Sequence, residues 1–142
     1  MTSSVAKGKA QELTLVNELI NEGYVPEWTG FGCKRSNIPA PVYSPEGFIA
    51  SPKDEGIDIK VKVDGTDFVI QSKNWKRKLY PSIVREMDGV LTRQRKGTVG
   101  VIVAPNVNRF TRGTEETANT SIFKIILTDT RNFTNNLKEV AA

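Results

Sequence analysis

The sequence contains no histidine and a single cysteine, Cys33. Without an imidazole, neither a serine nor a cysteine nucleophile has its usual base, so Ser-His and Cys-His catalysis are excluded. A zinc site, which draws mainly on His and Cys, is left almost without ligands. One cysteine cannot close an intrachain disulfide, and an intracellular location is the expectation. Long apolar runs are missing as well. None approaches the roughly 18–20 residues that cross a bilayer, so no membrane partner is expected. The opening residues, MTSSVAKGKAQEL, lack the apolar stretch of a secretory signal. Any chemistry must therefore use carboxylates, amides, lysines, hydroxyls or a hard metal ion.

What is present suits one domain over residues 1–142. The chain is 38% hydrophobic and 25% charged, enough for a real core and ordinary for a globular protein. A net charge of +4 points mildly to a polyanionic partner. Residues 5–22 read as a helix closed by Gly23, with Val5, Leu15, Val16, Leu19 and Ile20 on one stripe at 100° per residue. Glu12 projects into that stripe. A carboxylate on a buried face must be paired, protonated or bound to a cation.

Tyr24-Val25 and Trp28 open a short strand. Pro39, Pro41, Pro45 and Pro52 then argue for an irregular loop at about 31–53, to which the sequence assigns no role. Residues 80–95 form a second helix with Pro81 in its first turn, and 99–104 (VGVIVA) a strand buried on both faces. A short helix at 109–119 and a buried strand at 122–127 follow, and the last dozen residues read as a tail or peripheral helix. The expectation is an α/β fold with a mixed sheet.

The most informative stretch is GIDIKVKVDGTDFVIQSKNW, residues 56–75. Asp64-Gly65 between two alternating segments signals a two-residue type I′ hairpin. That turn pairs Val63 with Thr66, Val61 with Phe68 and Ile59 with Ile70. Counting on, Asp58 should oppose Gln71, with Cβ atoms roughly 4.5–5.5 Å apart. Ile57, Ile59, Val61, Phe68 and Ile70 then share one face, and Asp58, Lys60, Lys62, Gln71 and Lys73 the other. An aspartate oxygen and an amide oxygen converging there are hard ligands, suited to Mg²⁺ or Mn²⁺. A neighbouring lysine can hold the attacking water or offset charge on a phosphorane. An Asp–Lys ion pair beside an amide on a solvated face is the plainer alternative.

These residues resemble the PD-(D/E)xK nuclease superfamily, whose motif sets an acid on one hairpin strand against (D/E)-x-K on its partner. Asp58 matches the acid and Gln71-Ser72-Lys73 the second element, with Gln71 departing from Asp or Glu. That departure is itself similar to the Mrr-like branch, G-x-D followed by Q-x-K. KGKAQEL before a helix, IVREMDGVL at 83–91 and VGVIVAPNVNRFT from residue 99 extend the likeness. The resemblance implies a restriction-endonuclease-like core, a mixed β-sheet flanked by helices in αβββαβ order. It implies a Mg²⁺-dependent DNA endonuclease, with Mn²⁺ able to substitute. Asp58 and Gln71 would ligate metal with the Ser72 carbonyl. Lys73 would orient water, and Glu12 would bind a second cation or an outer water.

Beyond Lys73, the run NWKRK adds Lys76, Arg77 and Lys78, and Arg85 follows on the second helix. Such cations suit a phosphate backbone, duplex or branched. Trp75 reads as a packing residue rather than a stacking platform. The resemblance is compatible with restriction-, homing- or Holliday-junction-type cutting by a homodimer or larger homo-oligomer. The competing expectation is a non-catalytic DNA-binding or assembly module that keeps the fold.

Overall fold

The computed structural model describes residues 4–30 and 41–142. Cys33 and the first part of the expected loop, 31–40, lie outside the described residues. Asp64 and Gly65 both hold positive φ, +48° and +87°, so the hairpin turns as Asp-Gly demands. It joins β4 (Ile59–Val63) to β5 (Thr66–Ser72), with Val63 opposite Thr66, Val61 opposite Phe68 and Ile59 opposite Ile70. The turn chemistry and the apolar alternation select the same register here.

Around this hairpin the elements run α1 (Ser4–Asn21), β1 (Glu27–Thr29), β2 (Val42–Tyr43), β3 (Ile49–Ser51), β4, β5, α2 (Ser82–Leu91), β6 (Val99–Ala104), α3 (Arg112–Thr120), β7 (Ile125–Asp129) and α4 (Phe133–Ala141). They build a seven-stranded mixed sheet in the order β2-β3-β1-β4-β5-β6-β7. The β5–β6 and β6–β7 pairs are parallel, each joined through a helix, while β4 is antiparallel to both β1 and β5. This is an α/β fold, a mixed sheet flanked by helices on both faces.

One face is covered by α1 and α4, whose Leu15, Val16, Leu19, Phe133 and Leu137 pack on Ile59, Val61, Phe68, Ile70, Val101 and Val103. The other is covered by α2 and α3, with Ile83, Val84, Met87 and Ala118 against Val69 and Ile102. All six residues of β6 are buried, as its unbroken apolar sequence requires.

Four sequence expectations need correction. The sheet is larger than the αβββαβ order, because the later part of the supposed loop carries β2 and β3. Pro-rich flanks hid them, and each is only two or three residues long. The chain's last residues form a helix, one of the two forms expected, but it is not peripheral, since Phe133 and Leu137 on α4 are buried. The last strand begins at Ile125 rather than 122, and Ile122 is 92% exposed. Finally, Ile57 packs in the α2 layer with Val69, on the opposite side from Ile59. Strict alternation therefore fails between Ile57 and Ile59, and the residue between them is Asp58.

Candidate active site

The break in alternation is a β-bulge. The Asp58 amide donates to the Ile70 carbonyl at 2.8 Å, although Ile70 is already the partner of Ile59. Two residues of one strand thus oppose one of the other, and the ladder is locally disrupted. Thr29 on β1 holds the bulge from the far side. Its amide donates to the Asp58 carbonyl at 2.9 Å, and its hydroxyl bonds the carbonyls of Ile57 and Asp58. Gly56 leads into the bulge with φ +82°, and a Cβ there would lie 2.6 Å from Val90 Cγ2 on α2. Only glycine fits that position.

Freed from regular pairing, the Asp58 carboxylate turns to the end of β5. Its Oδ2 accepts the Ser72 amide at 2.7 Å. The expected direct pairing of Asp58 with Gln71 does not form, because the bulge consumes the register step that would have made it. Gln71 lies on the α2 side of β5 with Val69. There it lines a recess with Glu55, Gly56, Glu86, Val90 and Arg93. Its Oε1 is buried and has no hydrogen-bond partner. Such orphans are uncommon and call for a donor or a cation.

Glu12, which the helical stripe singled out, is 7% exposed. Its Oε1 accepts the Trp28 indole N–H at 2.8 Å and faces the Lys9 ammonium at 3.4 Å. Burial raises its carboxyl above the usual range, and the Asp58 charge raises it further; Trp28 and Lys9 oppose the shift. Burial raises Asp58 as well, against the Ser72 amide and the positive charges of Lys73, Lys9 and Lys53. Two desolvated carboxylates that repel one another are set among lysines, at the carboxyl ends of parallel strands where α/β sheets place their ligands.

Lys73 stands with its ammonium 4.5 Å from the Trp75 ring centroid, and the Arg77 guanidinium lies 4.3 Å from the same ring. Trp75 packs against the α2-side core, as expected, and also carries these two cations. Lys76, Arg77, Lys78 and Arg85 are exposed, and Lys78 donates to the Asn108 carbonyl at 2.9 Å. Among the described residues no group of three or more His, Cys, Asp and Glu side chains converges.

Sequence reasoning missed Thr29, Trp28's bond to Glu12, and Gln11. Gln11 Nε2 donates to Ser72 Oγ at 2.7 Å and to the Val103 carbonyl at 3.2 Å. Its one sequence signal is its place a turn before buried Leu15. Thr29 carries no such signal, because its partners come from another strand.

The mixed sheet thus sets the buried Glu12 and the half-buried Asp58 near Lys73, the residue that follows β5. The chain belongs to the restriction endonuclease family, whose Mrr-type catalytic-domain model matches residues 43–137, the greater part of the sequence. That match includes Asp58, Gln71 and Lys73, and begins after Glu12. Among solved structures it is similar to a repair endonuclease from Pyrococcus abyssi, at 20% identity and a TM-score of 0.47. The likeness covers 89% of this chain and 46% of that one, so the chain spans less than half of that enzyme. No curated protein sequence matches it. Among the described residues no helix is long and apolar enough to cross a membrane.

Proposed function

We propose that the chain is a metal-dependent DNA endonuclease that hydrolyses phosphodiester bonds, with Mg²⁺ as its ion and Mn²⁺ as a substitute. The observation that carries this reading is the buried Glu12 carboxylate set near the half-buried Asp58, whose charge opposes its own, with Lys73 close by. A hard divalent cation would relieve both their burial and their repulsion, and oxygen donors suit Mg²⁺ better than any softer metal. Asp58 and Glu12 would hold the ion together with the main-chain carbonyl of Ser72. Gln71, whose unpartnered amide oxygen opens on the α2 side of β5, would be a further neutral ligand only from that face.

Bound there, the ion would act as a Lewis acid on the phosphate and lower the pKa of a bound water. The remaining roles fall to this chain's own side chains. Lys73 donates from Nζ to the attacking water or to a phosphate oxygen where negative charge develops. Trp75 restrains Lys73 and Arg77 through its ring face. Lys76, Lys78 and Arg85 contact flanking phosphates, and this binding weakens with salt. The substrate is DNA, duplex or branched, and cutting both strands calls for two sites, hence a homodimer or larger homo-oligomer in an intracellular setting.

The test incubates supercoiled and branched DNA with Mg²⁺ or Mn²⁺ and compares wild type with Asp58→Ala and Lys73→Ala. Cutting by wild type and its loss in both variants is the expected result. A panel of sequence-defined and four-way-junction substrates then separates restriction-, homing- and junction-type cleavage. The unformed Asp58–Gln71 pair favours a second reading, a non-catalytic DNA-binding or assembly module. Binding to DNA without cutting, across all substrates and both metals, would establish that reading instead.

A further inference from the structure

Gln11 precedes Glu12 on α1 and is itself buried, with 6% of its surface exposed. A buried amide must find partners, and its Nε2 finds two: Ser72 Oγ and the Val103 carbonyl. These acceptors lie at the ends of adjacent strands, β5 and β6, so a single side chain ties α1 across both. Ser72 is also the residue whose amide holds Asp58 Oδ2. Gln11 and Asp58 therefore grip the same residue, one through its hydroxyl and the other through its backbone N–H. Glu12 follows directly on the helix, with its Oε1 fixed by Trp28.

We propose that Gln11 is a positioning residue that sets the separation of the Glu12 and Asp58 carboxylates and so lets them share one cation. This rests on the metal-dependent reading and adds a residue that lies outside both the D…QxK motif and the matched family region. The amide chemistry is specific. A methionine would fill the same space without a donor. A glutamate would set an acceptor against the Val103 carbonyl and add a charge beside two acids. The role goes beyond holding the helix in place, because Leu15, Val16 and Leu19 already anchor α1 with no exposed surface at all.

The experiment uses the full chain with Gln11→Met, Ser72→Ala and Glu12→Gln, alone and in pairs. The first readout is the ¹⁵N–¹H resonance of the Trp28 indole in metal-free protein, assigned with Trp75→Phe. The second is Mn²⁺ affinity by calorimetry, and the third is cutting of supercoiled plasmid. In Gln11→Met the Trp28 resonance should move and Mn²⁺ affinity should fall about 10-fold, while the thermal midpoint stays near wild type. In the Glu12→Gln background the same change should cost nothing further, because Gln11 acts through Glu12.

An unmoved resonance with wild-type Mn²⁺ affinity in Gln11→Met would overturn the inference, as would an undiminished loss in the Glu12→Gln background. Should Gln11→Met not fold, Ser72→Ala leaves the Val103 bond intact and should give a smaller loss. No loss there overturns the inference too. If wild type itself fails to take up Mn²⁺, the metal reading falls and the inference falls with it; if wild type binds and Gln11→Met binds equally, the inference alone fails.

Discussion

Glu12 and Asp58 stand above their ordinary carboxyl ranges chiefly through desolvation, Glu12 buried and Asp58 half-buried, and Glu12 also because Asp58 is charged. The consequence for stability has a definite sign. An acid whose folded pKa is raised binds its proton more tightly in the native state. In metal-free protein, stability should therefore fall as pH rises from the unfolded-state pKa through the raised folded one. Asp58→Asn should flatten that fall and raise the melting midpoint at neutral pH, which thermal scans across pH would reveal. Added Mg²⁺ should stabilise wild type and leave Asp58→Asn unmoved. Gln71 gives a second prediction: Gln71→Glu should tighten Mn²⁺ binding if its oxygen reaches the ion, and a calorimetric titration showing no change would remove it from the ligand set. Glu12 was legible in the sequence, since one acid in a helical apolar stripe stands out. Gln11 was not, because a neutral amide beside that acid looks unremarkable until its two strand partners are known.

The hairpin was legible for two independent reasons, the Asp-Gly turn and the alternation of β4 and β5, and both gave one register. The bulge at Asp58 was hidden because its cause lies on β1, where Thr29 bonds the carbonyls of Ile57 and Asp58. A local sequence pattern cannot report a distant hydroxyl. Thr29→Val should cost about 1–3 kcal/mol in denaturant unfolding, since it leaves buried carbonyl groups short of a donor. It should also weaken Mn²⁺ binding, while Thr29→Ser, which keeps the hydroxyl, should restore most of both. The short strands β2 and β3 escaped detection because two or three residues carry too little alternation to outweigh the prolines around them.

Across the whole molecule, two apolar layers sandwich the sheet, and the site lies where α1 meets the ends of β5 and β6. The helix α4 belongs to that support, because it fills the layer beneath α1 and β4 and joins the turn after α1 through the Lys138–Glu22 ion pair. Its apolar residues, Phe133 and Leu137 one turn apart with Val140 and Ala141 beyond, give only a faint helical signal among polar neighbours. Leu137→Ala should cost about 2–5 kcal/mol by chemical denaturation, as for other fully buried leucines. In the proposed function the Asp58 and Glu12 carboxylates, placed by the bulge and by α1, accept one hard cation. Crystals soaked in Mn²⁺ test it most directly through an anomalous difference map. A peak is expected about 2 Å from an Asp58 carboxylate oxygen, on the side of Glu12. A map with manganese bound only at exposed surface acids, and nothing at Asp58, would contradict it.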